Sequence, residues 1–184
     1  AGKYRDSDPA SSTETDACTA CGTGTFQDQP AQTSCTDCAA GKYRNSAAAT
    51  SAEAVACTAC ETGKYQPTAA QTSCIDCAAG KYRDSDPASS SETDACTVCG
   101  TDEYQNLPGQ TLCKTQQTCT SGELISADSK TAIRTCSDCP SGQYQDSTSH
   151  RDTSCTPWTT CSLGTTCQTT APSASVNRVC SAVN

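Results

Sequence analysis

Cysteine is the residue type with the most chemistry to offer here. Eighteen of the 184 residues are cysteine, and they recur as Cys-x-x-Cys, as in Cys18/Cys21, Cys35/Cys38, Cys57/Cys60 and Cys74/Cys77. Three chemistries use such pairs. Four thiolates from Cys18-x-x-Cys21 and Cys35-x-x-Cys38 have the spacing of a zinc ribbon. A single Cys-x-x-Cys in a strand–helix–strand setting is a thioredoxin-like redox pair. Oxidised cysteines are structural staples. The zinc reading lacks the basic and apolar spacers of a ribbon, and its four-ligand grouping breaks after Cys113. The redox reading lacks the surrounding α/β pattern. The staples remain, and a chain that is near one-tenth cysteine has the composition of a disulfide scaffold.

Other reactive types are sparse. His150, beside Arg151 and Asp152, is the only histidine and reads as a solvated loop residue rather than a general base. Asp6, Asp8, Glu14 and Asp16 recur as Asp84, Asp86, Glu92 and Asp94. Their spacing is not the closely alternating ligand pattern of a calcium loop, so they read as solvated acidic segments. No catalytic residue, no metal ligand and no cofactor is assigned, and the protein is expected not to be an enzyme. Ser89-Ser90-Ser91 and Thr165 to Thr170 are candidate O-glycan carriers. Asn45, Asn106 and Asn177 lie in no N-glycosylation sequon.

Composition bounds the rest. Hydrophobic residues make up 34%, counting Ala and Cys, with no Met, one Trp and one Phe. A large apolar core is out of reach, so covalent links must offset chain entropy. Disulfides place the protein outside the cell, at a cell surface or secreted. A net charge of −8 argues against nucleic acid as a partner. No apolar run approaches the ~20 residues that span a bilayer, so no membrane insertion is expected in this segment. Residue 1 falls inside a repeat, and the chain reads as a piece of a longer secreted protein.

The elements that position the cysteines are internal repeats. Cys18, Cys57 and Cys96 are 39 residues apart, as are Cys21, Cys60 and Cys99, and Cys35, Cys74 and Cys113. Each period holds a longer unit such as Cys38–Cys57 and a shorter one such as Cys60–Cys74. Each unit opens on Cys-x-x-Gly-x-aromatic, most fully in Cys38-Ala-Ala-Gly-Lys-Tyr-Arg44 and its copy at Cys77. Tyr4, Phe26, Tyr43, Tyr65, Tyr82, Tyr104 and Tyr144 all occupy this one position, which accounts for every Tyr and the only Phe. They are expected to pack over the disulfide of their own or a neighbouring unit. The preceding glycines (Gly2, Gly24, Gly41, Gly63, Gly80, Gly142) are expected at φ > 0, with Asp102 in the same role. Lys42 and Arg44, with Lys81 and Arg83, are expected in solvent. Short hairpins are expected throughout, with at most one helical turn, around Ala47 to Val55.

Sequence alone does not fix the cysteine connectivity, but loop length and the repeat restrict it to a simplest consistent scheme. Joining each cysteine before Gly-x-aromatic to the next one along gives Cys21–Cys35, Cys38–Cys57, Cys60–Cys74, Cys77–Cys96, Cys99–Cys113 and Cys139–Cys155. Cys119–Cys136 and Cys161–Cys180 complete the set. Cys18 and Cys167 are left unpaired within this chain. Their partners are expected beyond its ends, with an intermolecular Cys18–Cys167 bridge as the alternative.

Cys-x-x-Gly-x-Tyr units joined by Cys-x-x-Cys resemble the ephrin-receptor-like cysteine-rich repeats and the first half of tumour necrosis factor receptor (TNFR) cysteine-rich domains. The TNFR likeness is greater in Cys139-Pro-Ser-Gly-Gln-Tyr144, Cys155-Thr-Pro-Trp-Thr-Thr-Cys161 and Asn177-Arg-Val-Cys180. The resemblance implies a small disulfide-rich fold, mostly β or irregular with little or no helix, in an elongated TNFR-like ladder of modules. Residues 1–116 would be tandem 39-residue ephrin-receptor-like repeats and residues 117–184 TNFR-like modules. Near-identical tandem copies favour an extracellular structural rod: a stalk, spacer, or filament or appendage subunit, self-associating or contacting other surface proteins. The alternative is the ligand-binding ectodomain of a TNFR-like receptor, its ligand surface within residues 100–184 and Trp158 the residue to watch.

Overall fold

A computed structural model describes residues 2–5, 18–47, 52–85, 90–162, 165–167 and 172–182. The side chains of residues 165–167 and 182 are outside this description, and with them that of Cys167. Also outside are Asp6, Asp8, Glu14, Asp16, Asp86, Ser89, Thr169 and Thr170.

Each unit is a β-turn, a minimal hairpin and a staple. In the unit opening at Cys38, the Lys42 N–H donates to the Ala39 carbonyl (3.1 Å), so Gly41 is the third residue of the turn. Its φ of 83° belongs to a type II turn, which requires a positive φ there. The chain then enters a two-residue strand, Lys42–Tyr43, which pairs antiparallel with Thr58–Ala59, Tyr43 opposite Thr58. The same register recurs at Lys3–Tyr4 with Thr19–Ala20, Thr25–Phe26 with Thr36–Asp37, and Lys81–Tyr82 with Thr97–Val98. Two-stranded ribbons this short do not hold themselves together in water.

The staples are eight disulfides among the described residues: Cys21–Cys35, Cys38–Cys57, Cys60–Cys74, Cys77–Cys96, Cys99–Cys113, Cys119–Cys136, Cys139–Cys155 and Cys161–Cys180. Closing loops of 14 to 19 residues removes roughly 3 kcal/mol each from the unfolded chain in the entropic model. Cys18 keeps a free thiol and is half-buried.

Among the described residues, two four-residue helices close longer units: α1 (Glu53–Ala56) and α2 (Glu92–Ala95). The first lies where a turn was expected, and the second stands one repeat further on, where none was. Each buries its last alanine beside the closing cysteine. Ser91 caps α2 by accepting the Asp94 N–H (3.1 Å), whereas Ala52 offers α1 no such cap.

The buried apolar residues are mostly the cysteines, with Phe26, Ala56, Ala95 and Ile125. They form small clusters, one of Phe26, Cys38, Ala56 and Cys57 and another of Cys77, Ala95 and Cys96 under Tyr65. The chain divides into two compact units, one of residues 1–100 with 105–113, the other of residues 101–104 with 114–184. The fold is disulfide-rich, strand and irregular structure in tandem small modules.

Candidate functional site

The chemistry of this chain is concentrated at the seams between modules. Within the first compact unit, each turn glycine donates its N–H to the residue after the ring of the next module. Gly2 donates to the Gln27 carbonyl (2.6 Å), Gly24 to Arg44 (2.9 Å), Gly41 to Gln66 (2.7 Å), Gly63 to Arg83 (3.0 Å) and Gly80 to Gln105 (2.7 Å). In the second unit Gly122 does the same to Gln145 (2.7 Å). Gly2, Gly24, Gly41, Gly63 and Gly80 are therefore turn residues and also seam donors, and Asp102 takes φ 61° in the equivalent place.

Two of the rings, Phe26 and Tyr65, also reach the next module. Phe26 lies in the Cys21–Cys35 module but packs with Cys38 and Cys57 of the next, and Tyr65 packs against the cluster around Cys77–Cys96. These rings cover the neighbour's staple. Tyr4, Tyr43, Tyr82, Tyr104 and Tyr144 are half-buried in their hairpins, and the Lys114 ammonium lies 5.9 Å from the Tyr104 ring centre.

The residue after the ring was missed by the sequence reading, which left arginine to the solvent. Arg44 is 2% exposed and Arg83 3%. Arg44 donates to the Thr25 carbonyl, and Arg83 to the carbonyls of Lys64, Glu61 (3.4 Å) and Ser85 (3.1 Å). A two-residue strand pairs few of its own carbonyls, and the planar five-donor guanidinium serves those of the preceding module. In the shorter modules the position is glutamine and the partner is local. Gln66 donates to the Ser73 carbonyl (2.7 Å) and accepts from the Thr68 N–H (3.1 Å), which folds the loop over its own closing cysteine. Gln27 and Gln105 do the same with Ser34 and Gln29, and with Leu112 and Leu107. The legible signal was a long polar side chain at one fixed position, Arg in longer modules and Gln in shorter ones.

The lysines are not free either. Lys42 pairs with Glu53 and Lys81 with Glu92, both at 2.9 Å, tying each strand to its helix. Lys64 pairs with Asp76 across its hairpin at 2.5 Å. That hydrogen bond raises the Lys64 pKa above its ordinary value, against the small opposing effect of burial.

In the second unit His150 corrects the expectation of a solvated loop residue. It is 9% exposed, its Nε2 lies 3.1 Å from the Thr120 carbonyl, and its Nδ1 accepts the Asp152 N–H (3.2 Å). It docks the Cys139–Cys155 module onto Cys119, with backbone hydrogen bonds between Cys119 and His150 in both directions. Asp102 faces Arg134 (3.6 Å) and Arg151 (3.8 Å), one from each of the next two modules. The segment Cys119–Cys136 opens on the same turn and hairpin, with Gly122 at φ 86° and Leu124 in the ring position. Trp158 is half-buried, donates Nε1–H to the Ser173 carbonyl (3.1 Å) and carries Arg178 at 5.9 Å.

Cys119, Glu123 and Cys136 gather their ligand-type atoms within 4.8 Å, but the two sulfurs are bonded to each other and have no thiolate to give a metal. The Glu123 carboxylate accepts the Thr120 N–H (2.8 Å) and hydroxyl (2.9 Å), and those bonds hold its pKa below the ordinary value. The two cysteines of each described Cys-x-x-Cys belong to different staples or, at Cys18, to none.

Residues 9–54 and 51–94 each match the family described as "Tyrosine-protein kinase ephrin type A/B receptor-like". That stretch therefore resembles the ephrin-receptor-like cysteine-rich repeats, a disulfide-rich module of the extracellular type. Among solved structures, a chain of the human RANKL/OPG complex is similar at 18% identity and a TM-score of 0.43, covering 99% of this chain and 98% of that one. No curated protein matches.

Proposed function

We propose that the chain is a non-enzymatic spacer at the cell surface, a stalk or filament segment in which residues 1–116 set length and residues 117–184 form modules of a second type. The observation that carries this is the repeated seam. Within each compact unit a turn-glycine N–H donates to the carbonyl after the next module's ring, and Arg44 and Arg83 add bonds to carbonyls of the preceding module, so stiffness accumulates with every copy. Partners are other protein surfaces or further copies of the chain, and the Ser/Thr-rich segments are open to O-glycans. Small-angle scattering on the oxidised protein tests the reading. A spacer has a radius of gyration well above the ~16 Å of a compact globule of this length. A value near that of a globule overturns it.

A second reading, a ligand-binding ectodomain, is favoured by the half-buried Trp158 with Arg178 beside it, the residue types that anchor protein interfaces. A soluble protein ligand captured by the full chain and lost on Trp158→Ala would select this reading.

A further inference from the structure

A shallow, open cavity of about 230 Å³ lies between the Cys38–Cys57 and Cys60–Cys74 modules. Tyr43 and Asn45 of the first module and Glu61, Lys64, Thr72 and Ser73 of the second line it. Backbone bonds do the structural work of this seam, with the Gly41 N–H donating to the Gln66 carbonyl (2.7 Å) and the Arg44 N–H to the Gln71 carbonyl (2.9 Å). Of the lining side chains, Lys64 is held by Asp76 and Tyr43 sits in its hairpin, while Asn45, Glu61 and the Thr72 and Ser73 hydroxyls take no part in those backbone bonds.

Comparison among the chain's own copies sharpens the point. Tyr43 and Thr72 have counterparts in Tyr82 and Thr111 one repeat on, so the cradle itself is repeated. Asn45, Glu61, Lys64 and Ser73 are replaced there by Asp84, Gly100, Glu103 and Leu112. One repeat earlier, Glu61 and Lys64 correspond to Gly22 and Thr25. Asn45, Glu61 and Lys64 are particular to the middle repeat, while Ser73 recurs one repeat earlier as Ser34.

That set matches one ligand chemistry. The face of an aromatic ring is negative and meets the positively polarised C–H face of a pyranose. A carboxylate, a carboxamide and two hydroxyls around it offer acceptors and donors for ring hydroxyls. The Lys64 ammonium is already answered by Asp76 at 2.5 Å, and Glu61 adds negative charge, so an acidic sugar is poorly served. The volume lies below the ~300–1,000 Å³ of pockets for drug-sized ligands, and it takes a single ring. We infer that the Tyr43/Glu61 cavity is a binding site for one neutral pyranose, the terminal residue of a glycan. This goes beyond the spacer reading and does not depend on it. The scattering experiment can succeed while the sugar fails, and the reverse.

The test is ligand-observed NMR on the oxidised full chain. Methyl β-glucopyranoside, methyl β-galactopyranoside and methyl α-mannopyranoside are compared with glucuronate. Saturation transfer is expected to at least one neutral pyranoside and not to glucuronate. Tyr43→Ala should weaken binding by roughly tenfold, the size of one aromatic face contact. Glu61→Gly introduces the residue that the neighbouring repeats carry at this position (Gly22 and Gly100), so the fold is kept while binding falls. The sugar should bind equally well as a monosaccharide and as the end of a short oligosaccharide. The inference is overturned if no pyranoside binds at millimolar concentrations, if glucuronate binds as well, if an oligosaccharide is required, or if binding survives both substitutions.

Discussion

Two alanines and a glycine at one repeat position show how a single backbone angle is tuned. Ala31, Ala70 and Gly109 take φ of 59°, 61° and 68°, a region that costs an L-residue roughly 1–2 kcal/mol and glycine nothing. Ala70→Gly should raise stability by about 0.5–1 kcal/mol in urea unfolding, once the greater freedom of glycine in the unfolded chain is subtracted. The opposite holds at Gly63, where a Cβ would come within 2.7 Å of the Gly109 carbonyl carbon. Gly63→Ala adds strain at φ 77° to a clash with backbone, and should cost at least about 2 kcal/mol in the same measurement. Glu123 gives the pH counterpart. Its folded pKa is held below the ordinary 4.5 by the Thr120 N–H and hydroxyl. Its contribution is therefore present above the unfolded pKa and lost as pH falls through the lowered folded value. Unfolding midpoints measured from pH 6 down to about pH 3 should fall less steeply for Glu123→Gln than for the unmodified chain.

At the scale of elements, the two described helices are counterparts one repeat apart that differ at the cap, Ala52 against Ser91, and at two helical positions, Ala54 and Val55 against Thr93 and Asp94. Each is a single turn that delivers an alanine against a staple, and neither is long enough to persist alone. Ser91 accepts the Asp94 N–H, while Ala52 has the same extended backbone (φ −113°, ψ 140°) without an acceptor. Ser91→Ala should cost about 1 kcal/mol and Ala52→Ser should gain a similar or smaller amount. Amide hydrogen exchange at Ala56 and Ala95 reads both. The turn glycines were legible in the sequence because a type II turn is a local demand of four residues. The helices were half legible. Glu53 and Glu92 stand at the same repeat position, but what fixes each turn is contact with a cysteine and a lysine pair in the folded module. No periodicity can announce so short a helix.

For the whole molecule, the described disulfides take the place of a core. Chelator should leave the circular dichroism spectrum unchanged, and a thiol reductant should abolish it, because sulfurs joined to each other hold the hairpins without any ion. The reverse result would return the zinc reading. Peptide mapping of the non-reduced protein checks each of the eight pairs. The repeat period, the shared place of the rings and the sign of φ at the glycines followed from the sequence alone. They are properties of the chain over a few residues or of its copies laid side by side. Arg44 and Arg83 could not be read this way. Their partners are carbonyls of the preceding module, some 20 residues away in the chain, left unpaired only because its strands are so short. The same holds for His150 against Cys119 and for Asp102 between Arg134 and Arg151. Local turn chemistry decides what each module is. How one module holds the next is decided by unpaired backbone groups, which exist only once both modules have folded and been brought together.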